Sequence, residues 1–203
     1  QQFVGINVVF YYSNLLLESV GLTEDKAFIN TAIGGGTNVL TTFIAIALVD
    51  KIGRKPLLMF GSALMALSLG IMAYVFGTSP LDEATGRPIL SGDNAGAGTL
   101  ALVALNMFIV GFGDSWGPIV WVMLGEMFSN QIRGAALAVA AAAQWGANYL
   151  ISASFPILAG WSLAGAYGFY CVAALLSRAF VAFLIPETKG KELEAMGDLE
   201  GGK

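Results

Sequence analysis

The chain has 203 residues, 56% hydrophobic and only 12% charged, with a formal net charge of −4 and a mean hydropathy of +0.72. A soluble domain carries about twice that charged fraction, and a soluble core of all-round apolar helices would here lack polar surface to cover it. No Lys/Arg cluster of the nucleic-acid type appears, histidine is absent and Cys171 stands alone, which excludes an intrachain disulfide and a Cys₄ metal site.

Six apolar runs reach the length of about 20 residues that a membrane helix needs, at about 1–20, 27–49, 56–78, 98–128, 135–156 and 163–185. The expected fold is an all-α membrane protein with six transmembrane helices. Runs one and four are both broken by glycine and carry polar or Trp residues at mid-membrane depth, which points to two three-helix units related as inverted repeats. Residues 1–185 are expected to form one transmembrane bundle, and 186–203 a charged tail outside the bilayer. The chain opens directly into a membrane run, without a start methionine or basic leader, and is expected to come from a longer protein.

The first run reads QQFVGINVVFYYSNLLL. Asn7, Tyr11 and Asn14 share one helical face, and Gln1 and Tyr12 another. Amides in lipid must find partners. This sector is expected either to line a wet cavity or to hydrogen-bond a neighbouring helix. In the second run, Asn30, Gly34, Thr37, Asn38 and Thr41 recur at helical spacing. The glycines suit close packing, and Asn38 is the candidate ligand contact. The third run, PLLMFGSALMALSLGIMAYVF, carries no strong polar group and is expected at the lipid-facing periphery.

In the fourth run, Gly113, Gly117 and Trp121 follow one another at i, i+4, i+8. The glycines open a slot, and Pro118 predicts a kink with a freed carbonyl. Trp121 offers a flat apolar face and one N–H donor, for a ligand or for ordinary packing. The fifth run places Gln144, Asn148 and Ser152 on one face, with Trp145 and Tyr149 beside them. Three amide-bearing helices with hardly any intramembrane charge point to a neutral polyhydroxy ligand such as a sugar, not an ion. Asp114 and Arg178 are the exceptions, expected to pair or, for Arg178, to snorkel toward an interface.

Basic residues concentrate on one side: Lys51, Arg54, Lys55 and Arg133, with Lys189, Lys191 and Lys203 in the tail. The opposite loops hold Lys26 and Arg87 among Glu18, Glu24, Asp25, Asp82, Glu83 and Asp93. The positive-inside rule places the basic side, and both chain ends, in the cytoplasm of a cell-membrane protein. On that side Asp50, Arg54, Glu126, Arg133 and Glu187 can pair across helix ends. They would serve as a latch for alternating access or as surface pairs of little individual worth. No catalytic carboxylate pair, Ser/His set or metal cluster is present, so neither enzyme chemistry nor a metal or cofactor is expected.

The segments QQFVGINVVFYYS, DKIGRKPLL, SWGPIVWVMLGEMFSNQIRG, AQWGANYL and PETKGKELEAM resemble the sugar porter family of the major facilitator superfamily. The similarity spans nearly the whole chain, with bacterial glucose and pentose porters closest in flavour. It implies one six-helix bundle equivalent to helices 7–12 of a twelve-helix carrier, with a monosaccharide as substrate. Its partners would be membrane lipid and the N-terminal six-helix bundle, or a second copy of this chain. An isolated or self-associating half without transport activity is the rival expectation. The resemblance implies sugar contacts at Gln1, Gln2, Asn7, Asn38, Trp121, Gln144, Trp145 and Asn148. It further implies an outer gate at Tyr11 and Tyr12, and a cytoplasmic charge network at Asp50, Arg54, Glu126, Arg133 and Glu187. Ser129 stands where the family commonly has proline. Gly146 replaces a usual bulky aliphatic residue, Asp114 a usually uncharged one, and Arg178 is not a family feature.

Overall fold

The computed structural model describes residues 1–11, 24–83, 86, 88–187 and 189. A 3₁₀ turn, Gln2–Val4, leads through a left-handed Gly5 into α1 (Ile6–Tyr11). There follow α2 (Glu24–Ile52), α3 (Arg54–Thr78), α4 (Ala95–Gly111), a π-helical turn (Phe112–Trp116), α5 (Ile119–Met127), α6 (Arg133–Trp161) and α7 (Leu163–Leu184). A 3₁₀ turn at Gly92–Asn94 enters α4, and one isolated antiparallel bridge joins Leu81 to Pro88.

The helix boundaries follow local chemistry. α2 and α3 are separated by a single residue, Gly53, at φ 104, a backbone conformation that only glycine adopts cheaply. α6 and α7 are separated only by Ser162, whose extended backbone breaks the helix and whose Oγ accepts from Gly165 N at 3.0 Å as an N-cap. Pro118 stands at the start of α5, where its missing N–H costs nothing.

Among the described residues, four helical segments are long and apolar enough to cross a membrane: Phe28–Ile52, Arg54–Thr78, Gly92–Met127 and Leu163–Leu184. Six were expected. α6, at 29 residues, has the length, but Gln144, Asn148, Ser152 and Ser154 interrupt its apolar run. The first run is described only as far as Tyr11.

The packing corrects one expectation. α3 keeps an exposed outer strip, yet it is the most buried of the four apolar segments, packed along α7 on one side and α4 on the other. Met65, Leu69, Met72 and Phe76 are buried on one stripe. Phe60, Leu67 and Tyr74, seven residues apart, form its exposed strip. Lipid tails are as apolar as leucine, so association in a bilayer rests on close packing, and small residues permit it. Gly61 shows how close: a Cβ there would lie 2.5 Å from the Gly111 carbonyl oxygen and 1.8 Å from Ser115 Oγ. Ala66 on α3, Ala101 and Ala104 on α4, and Ala166 and Ala174 on α7 are likewise buried. At the N-terminal end of α7 an aromatic cluster packs between the helices. Phe76 and Tyr167 have ring centroids 5.1 Å apart, and Phe155 meets Tyr167 and Tyr170 at 6.4 Å each.

Candidate functional site

The break in the fourth span organises the site. Gly117 N–H donates to the Phe112 carbonyl at 2.9 Å, a bond reaching back five residues, so this turn holds one residue more than an α-turn. The break leaves carbonyls unused by the helix, and the first amide of the chain takes them. Gln1 Nε2 donates to the Trp116 carbonyl at 2.5 Å and the Gly117 carbonyl at 3.4 Å. Gln1 Oε1 is buried and has no hydrogen-bond partner among the described residues. Asn7 Nδ2 donates to Gln2 Oε1, and Gln2 is buried, so one hydrogen bond joins these two amides.

α2 reaches the same turn from another side. A Cβ on Gly113 would lie 2.8 Å from Asn38 Oδ1 and 2.2 Å from Thr41 Oγ1, so the Asn38 amide rests against the backbone of the π-turn. Thr41 Oγ1 donates back to its own helix, to the Thr37 carbonyl at 2.9 Å. α6 packs against α1 and the opening turn. On it Gln144 and Asn148 are half-buried, and Asn148 Oδ1 accepts from Ser152 Oγ at 3.1 Å. Trp145 and Tyr149 are 69% and 74% exposed, and Trp121 on α5 is 40% exposed. Gln1 and Asn38 thus meet at Gly113–Gly117, with Gln2 and Asn7 adjoining along the chain. Gln144, Trp145 and Asn148 stand on the neighbouring helix. Tyr12 and the side chain of Tyr11 lie outside the described residues.

A polar centre not singled out in the sequence supports the turn. Trp116, not Trp121, is the buried tryptophan, and its Nε1–H donates to Ser62 Oγ at 2.7 Å. Ser177 Oγ lies 3.2 Å from the same oxygen. Ser62 therefore ties α3, α7 and the π-turn together. The available signal was the SWGP segment itself, in which Trp116 directly precedes the helix break.

The opposite end carries the charges. Arg54 grips Glu126 with two hydrogen bonds, Nη2 to Oε1 at 2.6 Å and Nε to Oε2 at 3.1 Å, a bidentate geometry that fixes orientation as well as charge. Arg54 Nη1 also meets Asp50 Oδ1 at 3.0 Å and the Val49 carbonyl at 3.1 Å. Glu187 accepts from backbone N–H groups: Arg54 and Lys189 to Oε1, Lys55 to Oε2, each at 3.0 Å. It caps the N-terminus of α3, where orphan donors and the helix dipole favour an anion. Arg133 turns back on its own connection, Nη2 donating to the Phe128 carbonyl at 3.2 Å. Four of the five expected residues meet at one junction, and Glu187 enters it by accepting main-chain N–H groups.

Of the two alternatives for Asp114 and Arg178, pairing with each other or a snorkelling Arg178, the pairing is not formed. Instead Arg178 Nη1 donates to the Met59 carbonyl at 3.2 Å, and Asp114 Oδ1 is buried without a hydrogen-bond partner among the described residues.

Comparison with known proteins identifies the family and the fold. The family described as "Sugar (and other) transporter" matches residues 1–199. A glucose transport protein of Synechocystis sp. is 54% identical over 97% of this chain and 41% of its own length. The D-xylose-proton symporter of Escherichia coli strain K12 is 40% identical over 97% of this chain and 38% of its own. Among solved structures, the major facilitator superfamily proton:xylose symporter XylE bound to 6-bromo-6-deoxy-D-glucose superposes with a TM-score of 0.82 at 38% identity, covering 98% of this chain and 40% of that one. An inward-open XylE from E. coli gives 0.78, at 38% identity over 98% and 39% of the two chains. The chain thus spans about two-fifths of the length of these relatives. It is a multi-pass membrane protein chain matching the major facilitator fold, in a family of carriers and not of enzymes. The chain belongs to the sugar (and other) transporter family.

Proposed function

We propose that this chain is the sugar-binding half of a monosaccharide carrier that works by alternating access, equivalent to helices 7–12 of the twelve-helix fold and built as two three-helix inverted repeats. A glucose- or xylose-like sugar docks among Gln1, Gln2, Asn7, Asn38, Gln144 and Asn148, with Trp121 and Trp145 facing its C–H surface. The observation that carries this reading is the contact between Gln1 and the broken fourth span. It couples the amide-rich opening run to the π-turn, and it leaves Gln1 Oε1 as a buried acceptor ready for a hydroxyl donor. Neutral amides supply donors and acceptors without a fixed charge, which is what a polyhydroxy substrate requires.

The Arg54–Glu126–Asp50 cluster and the Glu187 cap act as a latch on the cytoplasmic side in this reading. Both chain ends are cytoplasmic, and residues 186–203 form the tail. α2 and α6 leave Ile33, Leu40, Phe43, Trp145 and Tyr149 uncovered. The other six-helix bundle of the carrier covers that face and supplies the opposite wall of the pathway.

Sugar affinity in the Gln1→Ala and Trp121→Ala variants tests the site. Each is expected to weaken binding about tenfold, the worth of one good hydrogen bond or aromatic contact of about 1.4 kcal/mol. Affinity unchanged in both would remove the site assignment.

A further inference from the structure

The outer face of α3 and α7, away from the amides, holds a second candidate site. A groove of about 600 Å³ runs between these helices, bounded at one end by Leu100 of α4 and at the other by Arg178. Its floor is made of small residues, Ala63, Ala66 and Gly70, and its walls of Leu67, Tyr74 and Leu175. Those three wall residues are all exposed, as suits a surface against acyl chains. From Ala63 to Tyr74 the groove follows α3 for eleven residues, which at 1.5 Å per residue is about 16 Å. That is close to half of the roughly 30 Å hydrocarbon core. The groove therefore has the length of one leaflet.

Its charged end is equally informative. Arg178 is the one charged residue of α7, and the charges of α3, Arg54 and Lys55, are confined to its first turn. Arg54 is held by Glu126 and Asp50, and Lys55 Nζ by the Ala182 carbonyl at 2.8 Å. Arg178 is exposed and meets only the Met59 carbonyl, through Nη1. It forms no ion pair with a described carboxylate. A cation on a lipid-facing surface is costly without an anion, and it lies at the basic end of the bundle, where anionic headgroups gather.

We propose that the groove binds one anionic phospholipid, an acyl chain lying along Ala66 and Gly70 and the headgroup phosphate on Arg178. The site is separate from the sugar reading and stands or falls without it. Purified protein in detergent is titrated with phosphatidylglycerol, with phosphatidylcholine of the same acyl chains, and with inorganic phosphate. Bound lipid is counted by native mass spectrometry. The protein is expected to prefer phosphatidylglycerol about fivefold and to ignore inorganic phosphate. R178Q should abolish the preference while leaving weak binding of both lipids. G70L should weaken both, because the nearest atom to a Cβ at Gly70 is Cys171 Sγ at an ordinary 3.5 Å and the added side chain fills the groove. A63L is the second filling variant should G70L not fold. The proposal is overturned if R178Q keeps the preference, if a folded filling variant binds both lipids as before, or if inorganic phosphate binds as well as the lipid.

Discussion

Ser62 shows what one hydroxyl does in a bilayer. Trp116 carries an N–H that lipid cannot satisfy, and Ser62 Oγ, fully buried, is its acceptor. Ser62→Ala strands that donor. Intramembrane hydrogen bonds average about 0.6 kcal/mol and reach about 1.7, and a loss near the upper figure is expected for a buried donor with no alternative. Ser177→Ala should cost less, because Ser177 Oγ already donates to Ala174 of its own turn at 2.7 Å. Thermal unfolding in detergent compares the two, and equal losses would contradict the account. The same residue marks a limit of reading the chain unaided. The third run looked free of strong polar groups, and serine is too small and too common in membrane helices to stand out. Gln1, Asn7 and Asn38 were legible because an amide has no packing reason to be in lipid. Their partners were not, since the carbonyls that Gln1 meets, those of Trp116 and Gly117, belong to a segment more than a hundred residues away, and sequence spacing does not report such a contact.

At the level of elements, four of the six expected spans were legible, as hydropathy reports length directly: 56–78 became Arg54–Thr78 and 163–185 became Leu163–Leu184, while the first and fifth runs do not stand out among the described residues. Which span lies inside was not, because an apolar side chain suits a protein neighbour and a lipid tail equally. α3 packs tightly between α4 and α7 through Gly61, Ala66 and Ser62, which permit close approach. Its N-terminus is then finished by a residue more than 130 positions away, Glu187. Glu187→Gln would replace a carboxylate accepting three N–H groups by an amide whose own N–H₂ opposes them. A loss of about 1 kcal/mol is expected from the cap and dipole terms together, read as a lower unfolding temperature. Lys51→Gln is a suitable control, as Lys51 enters the junction only through its carbonyl, which accepts from Lys189 Nζ. An effect of E187Q no larger than that of the control would remove the capping role.

For the molecule as a whole, the proposed orientation makes a direct demand. Lys51 and Asp93 lie at opposite ends of the bundle and both are exposed. In right-side-out vesicles of a C171A background, a cysteine at Asp93 should react with a membrane-impermeant maleimide and one at Lys51 should not. The reverse pattern would invert the topology. A different property of the whole emerges from the π-turn. Successive α-helical residues advance by about 100°, so one additional residue turns everything beyond it by about that angle. Ala101, Leu105 and Phe108 are buried before the turn, and Ile119 and Met123 after it. A single span thereby follows two azimuths, like the throws of a crankshaft. The compass heading of Trp121 is set at Phe112–Trp116, and a deletion of one residue there would misalign it without altering any side chain it touches.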